Sequence, residues 1–217
     1  MNSIYAGIGS RETPPEILKL MTRLAGAMEQ QGWLLRSGGA RGADAAFEAG
    51  VTNPAHRAIF LPDDYFNGRR AGPGGYYNAQ ALPGWTGALD TVVQHHPSQT
   101  YQQAAREMIT TGEIPLQTVT DLQQRFGPQT DRYNRPLTPQ QQAEKLAFAV
   151  SLHARNAMQI LGPNLDRPAN LVVAWTPGGA MKGGTSQAIR MAQDYGIPVR
   201  NLGNAEALSR AQAFLNQ

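Results

Sequence analysis

The chain has 217 residues, 41% of them hydrophobic and 16% charged, with 23 Gly, 15 Pro and no Cys. That length gives one domain with a sizeable core, and the missing cysteines exclude a disulfide framework, a thiolate metal site and a cysteine nucleophile. The formal net charge of +3 is spread along the chain without a Lys/Arg block, which permits an anionic ligand without demanding nucleic acid.

The first residues show no basic stretch leading into an apolar one, and no 18-residue apolar run occurs. The expectation is a soluble, cytoplasmic protein with no membrane partner. Residues 4–8 read as a short strand that ends in Gly9-Ser10-Arg11. Thr13, Pro14, Pro15 and Glu16 then provide an N-cap, prolines suited to a first turn and an early acid. Ile17, Leu20, Met21, Leu24 and Met28 follow at helical spacing, and Gly32 closes that helix. A second strand over 33–36 runs into Ser37-Gly38-Gly39-Ala40-Arg41-Gly42, and a helix follows over 43–49. Residues 57–61 form a third strand, closed by Pro62.

From 62 to about 137 the strand–helix rhythm gives way to a stretch rich in Gly, Pro, Gln, Tyr and Asn, with short helices over 99–109 and 116–126. A long segment of this kind inside a domain reads as an insertion, lid-like in function. Thr138-Pro139 opens a helix that runs through Leu161, with Leu146, Val150, Ala154, Ala157 and Leu161 on one face. That stripe suits the core and a homo-oligomer contact equally well. The rhythm then resumes with a strand over 171–175, a Gly-rich loop from Thr176 to Gly184, a helix over 185–195, a strand over 197–199 and a last helix over 205–214. Strands separated by helices imply right-handed parallel crossovers. The predicted architecture is therefore α/β: one Rossmann-like, doubly wound, mainly parallel sheet over 1–217, with helices on both faces and a mid-chain insertion. In such sheets ligands bind beyond the carboxyl ends of the strands, where the three Gly-rich loops would converge.

Gly7-Ile8-Gly9 begins like a dinucleotide fingerprint, but the sixth position is Glu12. Gly178 and Gly183 have Walker A spacing, yet Gly184-Thr185 follow without the preceding lysine, which excludes a P-loop ATPase. What the loops do offer is small residues that let backbone N–H groups approach an anion at helix N-termini. The candidate ligand-binding residues are Gly7, Gly9, Ser10 and Arg11 after the first strand, with Ser37, Gly38, Gly39, Arg41 and Asp44 after the second. Pro177, Gly178, Gly179, Gly183, Gly184, Thr185 and Gln187 join them from the late loop, where Lys182 is also in reach of a phosphate. Asp44 is placed to cap its helix or to accept a ribose hydroxyl. Neither Asp63-Asp64 nor the four histidines show metal-ligand spacing, so no metal and no required cofactor is assigned. Tyr65, Phe66, Tyr76, Tyr77 and Trp85 are candidates to stack on a base.

Ala6-Gly7-Ile8-Gly9-Ser10-Arg11, Arg36-Ser37-Gly38-Gly39-Ala40-Arg41-Gly42-Ala43-Asp44 and Pro177-Gly178-Gly179 with Gly183-Gly184-Thr185 together resemble the SLOG superfamily, which joins the DNA-processing protein DprA (Smf) to the LOG phosphoribohydrolases. The middle element is similar to the S-G-x-A-R-G-x-D stretch of DprA, the late one to the P-G-G-x-G-T loop of LOG. Leu152-His153-Ala154-Arg155-Asn156 looks like the M-H-x-R-K element of LOG, which makes Arg155 the catalytic candidate of an enzyme reading. The LOG pattern also has a Glu three residues after the loop Thr; here Ala188 stands there, beside Gln187. Without that carboxylate the hydrolytic mechanism lacks its acid.

Three readings follow. The leading one is binding of a nucleotide or nucleotide-derived phosphate ligand by a sensor or sequestering protein. The second is N-glycosidic cleavage of a nucleoside monophosphate using another acid, Glu12 or Asp44. The third, implied by the DprA resemblance, is single-stranded DNA binding, although the sequence lacks an obvious basic run interleaved with aromatics.

Overall fold

In the computed structural model, which describes residues 3–181 and 183–216, the chain begins with β1 (Ile4–Gly9), α1 (Pro15–Gln30), β2 (Leu34–Ser37), α2 (Ala43–Gly50) and β3 (Arg57–Leu61). A hairpin of β4 (Tyr65–Phe66) and β5 (Arg69–Arg70) follows, then β6 (Tyr76–Asn78) and the helices α3 (Trp85–His95), α4 (Gln99–Thr111), α5 (Leu116–Phe126) and α6 (Pro139–Leu161). The chain closes with β7 (Leu171–Trp175), α7 (Gly183–Asp194), β8 (Val199–Asn201) and α8 (Ala205–Phe214).

Six of these strands form one sheet in the order β6-β3-β2-β1-β7-β8, parallel at every pairing. The expected Rossmann-like, doubly wound architecture is what forms. Alternation along the strands divides the core in two. On β1, Ile4, Ala6 and Ile8 join the cluster beneath α3, α4, α5, α6 and α7. Tyr5 points the other way, into the cluster with α1, α2 and α8. The chain builds outward from β1 through β2, β3 and β6, then returns to the other side of β1 with β7. The sheet therefore has its switch point between β1 and β7, where Gly9 pairs with Trp175.

The boundaries of α5, α6, β7 and α8 fall where periodicity and caps predict them. Thr138 and Gln141 form a reciprocal capping box at the start of α6. The stripe Leu146, Val150, Ala154, Ala157 and Leu161 is buried within this chain, so that face is spent on the core. The last strand lies two residues later than predicted, because Pro198 only accepts a hydrogen bond there, from the Val172 N–H at 2.9 Å.

The segment over 62–137 is built into the fold more deeply than an appended lid. β6 adds a strand to the sheet edge beside β3, and Ala79, Ala88, Leu89, Val92, Ala104, Ala105, Ile114 and Val119 belong to the main core. No helix among the described residues is long and apolar enough to cross a membrane.

Gly7 illustrates how packing uses a residue that sequence places in a ligand loop. It lies inside β1, and a Cβ there would come within 2.6 Å of the Phe47 ring and 2.9 Å of Leu35. Gly7→Ala is expected to lower stability by about 1–3 kcal/mol through this overpacking, read as a reduced urea midpoint at unchanged slope. A wild-type midpoint would show that Phe47 yields without cost.

Candidate functional site

At the switch point the loops after β1, β2 and β7 open onto a cavity of about 650 Å³, walled on one side by α6 and overhung by the β4–β5 hairpin. Gly9, Ser10 and Arg11 line it from the first loop, Arg41 and Asp44 from the second, and Pro177, Gly183, Gly184 and Thr185 from the third. Arg155 reaches it from α6. The three loops thus meet around one cavity.

The remaining candidates lie elsewhere. Ser37 is buried and donates to the Gly7 carbonyl at 2.7 Å, which ties β2 to β1. Gly39 is buried with φ +65. Gly178 is exposed, and Gly179 borders a separate cavity beside α8, where a Cβ would collide with Asn204. Gln187 is buried one layer behind the cavity wall. Lys182 lies outside the described residues.

Gly38 is decisive by its missing side chain. A Cβ there would overlap the guanidinium of Arg155, so the absence of one lets that cation lie in the floor of the cavity. Arg155 is 5% exposed. Its Nη1 is 3.8 Å from Asp44 Oδ2 and 3.5 Å from the Phe60 carbonyl oxygen, and its Cζ stands 5.6 Å from the centre of the Phe66 ring. Its Nε has no hydrogen-bond partner within the protein. Asp44, in the first turn of α2, accepts the Ala40 N–H at 3.2 Å. Burial pushes the Asp44 carboxyl above its ordinary range, while Arg155 and the N–H groups of Ala40 and Gly38 pull it back. The pair is spaced beyond hydrogen-bond contact, so the guanidinium keeps bonding capacity for a ligand.

Sequence reasoning named Gln187, and His153 and Asn156 within the LOG-like element, but missed Gln159 and the way these side chains join into a polar wall beside this pair. Gln187 Oε1 accepts from Asn156 Nδ2 at 3.1 Å and faces His153 Nδ1 at 3.2 Å, and Gln159 Nε2 donates to Asn156 Oδ1 at 3.3 Å. The His153 ring meets the His96 ring edge-on at 4.4 Å, and His96 stacks on Tyr101 at 4.4 Å. Burial, reinforced by His96 and Arg155, pushes His153 down to about 4. The linear sequence carried one signal for this wall: polar residues at 156 and 159 on the same helix face as Arg155.

The aromatic candidates divide. Phe66 lines the cavity. Tyr76 donates its hydroxyl to Glu48 at 2.8 Å, Tyr77 packs on Phe60 with centroids 5.9 Å apart, and Trp85 packs against the main core. Among the described residues no group of three His, Asp or Glu side chains is arranged to hold a metal ion.

No family model matches the chain, and no curated protein does. Among solved structures it is similar to DNA processing protein A from Helicobacter pylori, described for its single-stranded DNA binding mode. The identity is 18% over 99% of this chain and 79% of that one, with a TM-score of 0.47. That likeness lends no residue role to this chain.

The low position of His153 has a consequence for stability. In the unfolded chain a histidine protonates near its ordinary value of about 6.5, whereas the folded chain resists until about 4. The unfolded state therefore binds more protons between these values, and stability falls as pH drops through that window, by on the order of 3 kcal/mol in all. Urea unfolding between pH 7 and 4.5 is expected to show a slope that His153→Asn reduces. Parallel profiles for the two proteins would place the pH dependence elsewhere.

Proposed function

We propose that the cavity binds a phosphate-bearing ligand of the nucleotide type, as a sensor or sequestering protein would. The observation that carries this reading is Arg155: a cation 5% exposed that lines a 650 Å³ cavity and is answered by Asp44 only at 3.8 Å. A buried guanidinium so thinly paired is short of acceptors and countercharge, and an anionic ligand in the cavity supplies both. The N-terminal turn of α7, Gly183–Thr185, faces the same space. The first turn of a helix leaves backbone N–H groups without intrahelical acceptors and carries partial positive charge, which suits a phosphate. Arg11 and Arg41 stand exposed on the rim and add cationic character there.

The lining favours binding over turnover. The position three residues after Thr185 is Ala188, which is 1% exposed and presents only a methyl group. Asp44 is engaged by Ala40 and Arg155, which leaves Glu12 on the rim as the acid open to a substrate. The exposed rim arginines support a second reading, in which the cradle holds one phosphate of a single strand of DNA that continues past the cavity. A strand neutralised by several cations binds with a steep salt dependence.

Isothermal titration of the full chain with nucleoside 5′-monophosphates and with a short single-stranded oligonucleotide tests both. Gly184→Asp introduces a carboxylate into the cradle, and its Cβ would meet His153 Cε1 at an ordinary 3.4 Å. The variant is expected to keep its melting temperature within about 2 °C, consistent with a tolerated surface change, and to lose mononucleotide binding. Absence of any affinity for the mononucleotides in the wild type, with tight salt-sensitive oligonucleotide binding, would replace the first reading with the second.

A further inference from the structure

The residues of α6 that meet the cavity are Phe148, Leu152, His153, Arg155, Asn156 and Gln159. Phe148, Leu152, Arg155 and Gln159 follow one another by four, three and four, with His153 and Asn156 alongside, and together they form one strip of the helix. At 1.5 Å per residue the strip is roughly 16 Å long, and its character changes along the way. The C-terminal half is polar and carries Arg155, Asn156 and Gln159. The N-terminal half is apolar, with Leu152 and then Phe148. Because Gly184 abuts His153, the N-terminus of α7 is level with the polar half, about 7 Å along the axis from Phe148.

Phe148 is 41% exposed, an unusual position for a large apolar ring in the wall of a polar cavity. It is not alone. Phe66 arrives from the β4–β5 hairpin and packs on it, with centroids 6.1 Å apart at 51°. The hairpin is pinned in place: Arg69 Nε donates to Glu48 Oε2 at 2.7 Å, and Asn67 Nδ2 donates to the Gly39 carbonyl at 3.3 Å. The two rings make an apolar shelf that borders the cation: Arg155 Cζ stands 5.6 Å from the Phe66 ring centre, while Phe148 lies on the far side of Phe66 from it along α6.

We propose that the Phe66–Phe148 shelf is the subsite for an aromatic base, so the ligand is a base-bearing phosphate compound and a bare sugar phosphate is not. This rests on the phosphate reading above. A base laid on the shelf covers apolar surface that is otherwise wet, and stacking on aromatic side chains is tolerant of base identity. The ribose would then span toward Arg155, and the phosphate would reach Gly184 and Thr185.

The test is calorimetric titration of the full chain with the common nucleoside 5′-monophosphates, adenosine, ribose 5-phosphate and inorganic phosphate, using wild type, Phe148→Ala, Phe66→Leu and Gly184→Asp. Phe148 is partly exposed and Phe66→Leu keeps most of its volume, so both variants should fold, as circular dichroism will check. In the wild type at least one mononucleotide is expected to bind about tenfold or more tightly than ribose 5-phosphate. Phe148→Ala should erase about tenfold of that advantage, in line with the loss of one stacking partner, and leave ribose 5-phosphate unchanged. Gly184→Asp should lose both phosphate compounds. Equal affinities for mononucleotide and ribose 5-phosphate, or equal losses of the two in Phe148→Ala, overturn the base subsite while the phosphate cradle stands. Phe148-dependent binding of adenosine with no response to any phosphate group supports the shelf and overturns the cradle. Failure of every base-bearing probe to bind overturns the subsite.

Discussion

A cation buried in the floor of a cavity constrains everything around it. Taking a guanidinium out of water costs several kcal/mol unless partners answer it, and here the answers come from two separate parts of the chain while a third makes room. Asp44 lies in the first turn of α2, the Phe60 carbonyl lies near the end of β3, and Gly38, which begins the loop after β2, leaves the space the guanidinium fills. α6 must pack on the sheet at the height that brings Arg155 among them, and the loop after β2 must pass without a side chain at 38. The mid-chain helices are in turn needed to hold α6 there, since α3, α4 and α5 all pack against it in one core cluster.

The same arrangement explains why the fold was legible in the sequence and the site only in part. The doubly wound sheet is written in apolar runs bounded by glycine and proline, and long helices announce themselves through caps and stripes, as Thr138 and Gln141 do for α6. β6 and α3 are harder. β6 is three residues of Tyr-Tyr-Asn without a buried position, and α3 starts at Gly84 with no side-chain cap and buries only Ala88, Leu89, Thr91 and Val92. Their place is decided by the sheet edge and by α6, which are distant in sequence.

Loop composition likewise shows where backbone is unusual without showing why. Gly9 and Gly184 open onto the cavity, but Gly7 makes room for Phe47 and Gly38 makes room for Arg155. The polar wall of His153, Asn156, Gln159 and Gln187 was invisible as a set because its members come from two helices that meet only in three dimensions. Amides that meet in such a network look, in the sequence, like ordinary surface amides.

α2 spans only eight residues. Asp44, near its beginning, belongs to the cavity floor, and Glu48, one turn on, anchors the overhanging hairpin through Arg69. Roof and floor are therefore attached to the same rigid rod, about 6 Å apart along its axis. The Asp44 carboxylate that faces Arg155 and the Glu48 carboxylate that holds Arg69 thus take their positions from one and the same helix, so the height of the hairpin above the cavity floor is set by the length of a single helical turn.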